Sequence, residues 1–452
     1  MACFADYRKN MMAPLPDPHR RIWRIAGPAI LASISGPLVG IVDSWALGHL
    51  PDPVFLAAIA LGAFVFHFIY WSFGFLRMGT SGLVAQAFGR DDPHQIAEIM
   101  LRSLILGGLF GVLVILLQKP LLDGLFALLQ SDRAEADLAM RYCLIRIWGA
   151  PFILVRLTVI GFLIGRQRTR LALLIELWLN LSNAVLTIAL VQGFGMAIAG
   201  AAFASLAAEL SAALVALVIA ARMLPVAAMR EAVQRADFWQ MRAFLRLLSV
   251  NGALFVRTLF LLSAFALLWR SSANLGTLYL GVNQILIQFL MLTSFGLDGM
   301  AYAAEALVGE AVGRRNGVVF RQMVRITMIW ALAMALVYSL IFWLLGASII
   351  HFFTDLDALR SLAYPYLPWV IVMPVIALWS YQFDGIFIGA TRSFAMMWTM
   401  IGAFALYGLA LLILLPLYGN HGLWASLMIF LAARGLLLAA CYPGMKQRVM
   451  AT

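Results

Sequence analysis

The sequence is poor in the residues that carry most soluble chemistry. Its three cysteines, Cys3, Cys143 and Cys441, are far apart and odd in number. They suggest neither a disulfide framework nor a metal site. Six histidines are scattered, with no His-x-x-x-His or Glu-x-x-His pair. A Gly-x-x-x-x-Gly-Lys-Ser/Thr loop is missing, so nothing points to ATP as the energy source. A membrane enzyme would need a clustered acid/base or metal constellation at one membrane face. None is visible, and neither enzyme activity nor a cofactor or metal is expected. Residues 1-22 have no apolar core and read as a short cytoplasmic tail rather than a cleavable signal. Charge is scarce too, at 12% of residues.

What remains is apolar. Hydrophobic residues make up 63% of 452 positions, with a mean hydropathy of +0.93. The apolar runs recur at lengths near the ~20 residues a helix needs to cross hydrocarbon. A membrane β-barrel would show short alternating segments instead. The fold class is therefore all-α and polytopic. Twelve spans are predicted, at about 23-48, 54-80, 96-118, 136-165, 171-192, 196-222, 240-268, 276-306, 318-345, 362-390, 393-416 and 421-441.

The net charge of +11 raises nucleic acid as a partner. Orientation explains it better, because cytoplasmic loops collect Lys and Arg. With twelve spans, one set of alternate loops holds most basic residues, from Arg8 and Lys9 to Lys446 and Arg448. The other set holds only Lys119, Arg133, Arg141, Arg270 and Arg360. Both termini are then cytoplasmic, and no nucleic acid is expected.

The chain also repeats itself. Leu83-Val-Ala-Gln-Ala-Phe-Gly-Arg90 matches Leu307-Val-Gly-Glu-Ala-Val-Gly-Arg314, and Gly161-Phe-Leu-Ile-Gly-Arg-Gln-Arg168 matches Gly385-Ile-Phe-Ile-Gly-Ala-Thr-Arg392. Both matches share a shift of 224 residues. A weaker echo is Ala204-Ser-Leu206 against Ala425-Ser-Leu427. Six spans per half preserve orientation, so two parallel six-helix repeats are predicted. The expected organisation is a tail at 1-22, a lobe at 23-222, an amphipathic cytoplasmic linker at 223-239, a lobe at 240-441 and a tail at 442-452. Such repeats favour a transporter that alternates access to a site between or within its lobes.

Asp43 is the costliest residue in this arrangement. It lies near one end of the first apolar run, among Pro37-Leu-Val-Gly-Ile-Val-Asp43-Ser-Trp-Ala-Leu. An ionisable group at membrane depth is a functional candidate by default. The bland alternative is an aspartate that reaches headgroup water.

Four stretches carry a resemblance: Val42-Asp-Ser-Trp-Ala-Leu-Gly-His49, Phe73-Gly-Phe-Leu-Arg-Met-Gly-Thr-Ser-Gly-Leu-Val-Ala-Gln-Ala87, Leu297-Asp-Gly-Met-Ala-Tyr-Ala-Ala-Glu305 and Phe383-Asp-Gly-Ile-Phe-Ile-Gly-Ala-Thr-Arg392. They resemble the MATE (multidrug and toxic compound extrusion) transporters, most of all the DinF (DNA-damage-inducible protein F) branch. The resemblance spans nearly the whole chain in motif order. It implies a V-shaped 6+6 antiporter in the inner (plasma) membrane, a monomer that exports amphipathic, often cationic drug-like compounds against a proton or sodium gradient. It also implies a coupling site in the N-terminal lobe, with Asp43, a fifth-helix asparagine at Asn180 and a sixth-helix hydroxyl at Ser205. Many relatives carry a second acid where Thr187 stands here. That departure weakens a two-carboxylate site and favours proton coupling, with sodium the alternative and Asn180 the expected partner of Asp43. Pro28 and Pro37 permit kinks in the first helix, and in the family its bending is proposed to respond to the charge of the aspartate.

Other polar residues have plainer readings. Asn180, Asn183, Thr187 and Ser205 could simply bond helices together. Asp298 and Glu305 lie two turns apart on one helix face, and with Arg257 and Asp384 they form an expected polar cluster in the C-terminal lobe, for which structural ion pairing is the plainer reading. Arg156 reads as an interior arginine paired with Glu176 or Glu209; an anion-binding role is the sharper alternative. Arg77 and Arg434 read as snorkelling side chains. Gly161, Gly165, Gly385 and Gly389 have small-xxx-small spacing and read as helix packing. Phe64, Phe66, Tyr70, Phe289 and Met300 are among the side chains able to line a cavity. A lipid-linked-precursor flippase of the same superfamily is a competing function. It would call for a more basic cavity, whereas only Arg146, Arg156 and Arg257 fall well inside spans.

Overall fold

The structure is a computed structural model that describes residues 17–48, 52, 54–129 and 133–451. Most of the expected N-terminal tail, with Arg8 and Lys9, lies outside the described residues, as do His49 at the end of the first motif and Thr452. Among the described residues the chain is helical without strands, and twelve helical segments are long and apolar enough to cross a membrane.

The first span comprises α1 (Pro18–Ser35) and α2 (Pro37–Gly48), separated by Gly36. Pro37 cannot donate a backbone hydrogen bond and suits the first turn of a helix, so the break falls before it. Pro28 is accommodated inside α1. The second span bends between α3 (Val54–Ser72) and α4 (Phe75–Gly89), and α5 (Pro93–Leu116) is the third. After α6 (Gln118–Leu129), the fourth span joins α7 (Arg133–Arg146) to α8 (Ala150–Gly165) through a 3-10 turn, Ile147–Gly149. Pro151 at the start of α8 explains the change of winding. The fifth span, α9 (Thr169–Thr187), ends in a π-helical turn, Ile188–Gly193, and α10 (Ala197–Met223) is the sixth. The linker forms α11 (Val226–Gln234) and a 3-10 turn.

The second half holds α12 (Met241–Asn274), α13 (Thr277–Gly313), α14 (Gly317–Phe353), α15 (Asp357–Ala363), α16 (Leu367–Gly389), α17 (Ser393–Tyr418) and α18 (Asn420–Ala451). Several helices outrun their apolar cores. α13 and α14 have 37 residues each, and α18 continues through Pro443 where a tail was expected at 442-452. Hydropathy marks where lipid ends, whereas a helix stops only where its backbone bonds are broken.

The repeat reaches into the turns. Asp91 and Arg315 both take positive φ (55 and 54), as do Gln167 and Thr391 (58 and 52). Each pair is offset by the same 224 residues. The next helices are capped alike: Asp92 accepts from the Gln95 amide, and Asn316 from the Val318 and Val319 amides. The glycines match as well. A Cβ on Gly161 would strike the Arg77 carbonyl, and one on Gly385 the Ala301 carbonyl. At Gly165 and Gly389 it would lie 2.6 and 2.5 Å from the Ser81 and Glu305 carbonyls. These glycines let α8 lie against α4, and α16 against α13.

The chain forms two compact units. The N-unit comprises Leu31–Ala87 and Asp91–Leu248. The C-unit comprises Ser249 onwards together with Phe88–Arg90 and α1 up to Ile30. The boundary therefore crosses the first span, and the linker belongs with the N-unit. Arg102 holds it there, donating to the carbonyls of Asp237 and Phe238 at 3.1 Å each. In the C-unit, Arg21 of α1 reaches the fully buried Glu310 at 2.6 Å, as does Arg314.

Candidate functional site

α2 carries Asp43 into the N-unit, where it is 4% exposed. Its neighbours Ala46 and Leu47 enter a hydrophobic core with Ala58, Phe66 and Tyr142. The carboxylate accepts a 2.8 Å hydrogen bond from the Thr187 hydroxyl. Thr187 is the last residue of α9, directly before the π turn. π segments inside helices occur often at functional sites. This one is tied back to α2 through Gln192, whose amide donates to the Ala46 carbonyl at 3.4 Å.

The other expected members are placed differently. Asn180 donates to the Ser35 carbonyl at 2.8 Å, not to Asp43. Ser35 is the last residue of α1, where carbonyls lack intrahelical partners, so Asn180 satisfies the break in the first span. The Ser205 hydroxyl accepts from Asn183 at 3.0 Å. Asn180, Asn183 and Thr187 share one face of α9, and all three are buried. The expectation that Asn180 is the partner of Asp43 is thereby replaced: the partner is Thr187, the position where many relatives carry an acid. Asn183 is the member that binds Ser205, and its spacing of three and four residues from its neighbours was the available signal.

Arg146, expected only as one of three arginines well inside spans, lies near this site. It is the last residue of α7 and donates to the Tyr142 hydroxyl at 2.7 Å. Its guanidinium lies 4.8 Å from the Phe66 ring centroid. Asp43 and Glu209 lie within its electrostatic range. Arg156 is paired as its plainer reading expects, with Glu176 and with Glu209 at 3.1 Å. A separate cavity of 390 Å³, lined by Lys119, Asp123 and Met140 among others, includes none of these residues.

The C-unit holds its own charge cluster. Arg257 pairs with Asp384, and Arg434 reaches the same carboxylate at 2.9 Å. Arg434 is 5% exposed and Arg77 8%, so neither snorkels. Asp298 lies within electrostatic range of Arg257. Glu305 is buried further along α13, where Gly389 packs on its backbone. Of the expected quartet, Arg257 and Asp384 are paired, Asp298 lies within range of Arg257, and Arg434 joins them.

Comparison with known proteins fits this architecture. The MatE family model matches residues 28–189 and 253–414, once in each half. The chain is 36% identical over 442 residues to DNA damage-inducible protein F of Escherichia coli (strain K12), covering 97% of this chain and 96% of that protein. It is 26% identical over 364 residues to a Synechococcus protein described as probable multidrug resistance protein NorM, covering 76% and 75%. The solved outward-facing structure of a MATE family transporter of the MOP superfamily superposes with a TM-score of 0.85 at 21% identity, covering 98% and 97% of the two chains. The repeat, the twelve spans and these likenesses agree: the chain belongs to the MATE family of multi-pass membrane transporters.

Proposed function

We propose that the protein is a multidrug efflux antiporter that exports amphipathic, cationic compounds in exchange for protons by alternating access, with protonation of Asp43 as the coupling step. The observation that carries this reading is the buried Asp43 carboxylate, which accepts a hydrogen bond from the Thr187 hydroxyl. One carboxylate with neutral partners can exchange a proton, and it is a poorer cage for sodium than two acids. The description of relatives as probable multidrug resistance proteins supports the substrate class. In this reading the protein is a monomer of the inner membrane with both termini cytoplasmic.

The test is dye efflux from proteoliposomes with either a pH or a sodium gradient imposed alone. Efflux should follow the pH gradient, and Asp43→Asn should insert and fold but export nothing. Efflux driven by sodium alone, or normal export by Asp43→Asn, overturns the reading.

A further inference from the structure

An arginine at membrane depth is costly and normally pairs with a carboxylate. Arg156 and Arg257 do so here. Arg146 does not: among the described residues, no carboxylate oxygen comes within 4.0 Å of it. Its direct contacts are the Tyr142 hydroxyl and the faces of Phe66 and Tyr142. Those contacts are rigid. Tyr142 is fully buried, its ring packs edge-on to Phe66, and a Cβ on Gly62 would lie 2.6 Å from it. The guanidinium is therefore held in place without being neutralised there. It also sits where α7 gives way to the 3-10 turn, a winding change that often marks function.

The ionisable groups within electrostatic range of Arg146 are Asp43 on α2, Tyr70 on α3, Tyr142 and Cys143 on α7, and Glu209 on α10. Two of these are carboxylic acids. Glu209 already accepts from Arg156 at 3.1 Å. Asp43 has a hydroxyl partner and, among the described residues, no cation within 4.0 Å. The countercharge of Arg146 not shared with another arginine is therefore Asp43.

From this geometry we infer that Arg146 is a specificity-determining residue, which keeps sodium out of the Asp43 site. The inference rests on the proton-coupled reading above. A fixed guanidinium opposes any second cation in its range, and Coulomb repulsion at several ångströms in a partly desolvated site is worth about one or two factors of ten in affinity. A proton keeps its covalent O–H bond against that repulsion. Sodium has only electrostatic attraction and a few oxygen ligands, so the same repulsion removes most of its binding. Thr187 adds to the effect, because its hydroxyl hydrogen points at the carboxylate. Arg146 thus takes over electrostatically what the missing second acid would have done in the opposite sense.

The experiment compares wild type, Arg146→Gln, Arg146→Lys and the double variant Asp43→Asn/Arg146→Gln. One readout is dye efflux under a pH or sodium gradient alone. The other is the shift of the thermal unfolding midpoint of the solubilised protein on titrating sodium chloride, with potassium chloride as control. Wild type and Arg146→Lys should show efflux under the pH gradient and no sodium-specific shift. Arg146→Gln should gain sodium-specific protection, with apparent affinity at least about tenfold tighter than wild type, and the double variant should lose it. Arg146→Gln remaining as indifferent to sodium as wild type overturns the proposal, as does a sodium response that persists in the double variant. If Arg146→Gln does not fold, recovery of folding in the double variant supports the pairing, and failure of both shows a structural arginine and sinks it. Failure of the underlying reading registers separately, as wild-type efflux under sodium alone.

Discussion

At Asp43 the burial of a carboxylate is offset by one hydroxyl. Removing that hydroxyl should be felt in transport. Thr187→Val should slow proton-driven efflux about tenfold or more, since a hydrogen bond to a charged group contributes about 1.5–3 kcal/mol, while Thr187→Ser should stay near wild type. Initial efflux rates at equal reconstituted protein check both. The C-unit makes a converse case. Asp384 faces two guanidinium groups, Arg257 and Arg434. Asp384→Asn would leave both without their shared countercharge and should cost about 3–5 kcal/mol, read as a large drop in thermal unfolding midpoint. Exchanging Arg257 and Asp384 should not restore stability, because the new arginine would face Arg434.

Helices in this protein are shaped by where their backbone bonds fail. The first span breaks at Gly36 and Pro37, and Asn180 of α9 satisfies the carbonyl at the break. The fourth span turns 3-10 next to Arg146, and the fifth turns π next to Thr187. Arg146 and Thr187 therefore each lie beside an irregular turn, where a side chain can be aimed off the regular helix pitch. Between helices, closeness depends on glycine. Gly385→Val would drive a branched side chain into the Ala301 carbonyl. Overpacking of this kind should destabilise by about 1–3 kcal/mol or more, and Gly161→Val should behave alike against Arg77. Thermal unfolding of the two variants side by side tests whether the halves use one packing rule.

For the whole molecule, twelve spans, their order and the duplication were legible in the chain. A helix that crosses lipid must be apolar for most of its length, so hydropathy alone reports it. The repeat was legible because packing between helices demands small residues at fixed offsets, and those offsets recur. The linker was visible as a charged, amphipathic stretch, but its attachment was not. Arg102 lies far from it in sequence and reaches it through two carbonyls. Arg102→Ala should expose residues 223-239 to limited proteolysis several-fold faster than wild type, followed by fragment mass, with little change in helix content.

The sequence by itself determined a polytopic, duplicated, all-helical transporter and pointed to Asp43, because the costs of lipid burial and of an intramembrane charge are read residue by residue. Only the tertiary structure decided the partners. That Asp43 takes Thr187, that Asn180 serves the broken first span, that Ser205 takes Asn183 and that Arg146 takes the Tyr142 hydroxyl all depend on helix rotation and irregular turns. A hydrogen bond is lost within about an ångström of misplacement. Apolar periodicity does not set the rotation of a helix that is greasy on every side.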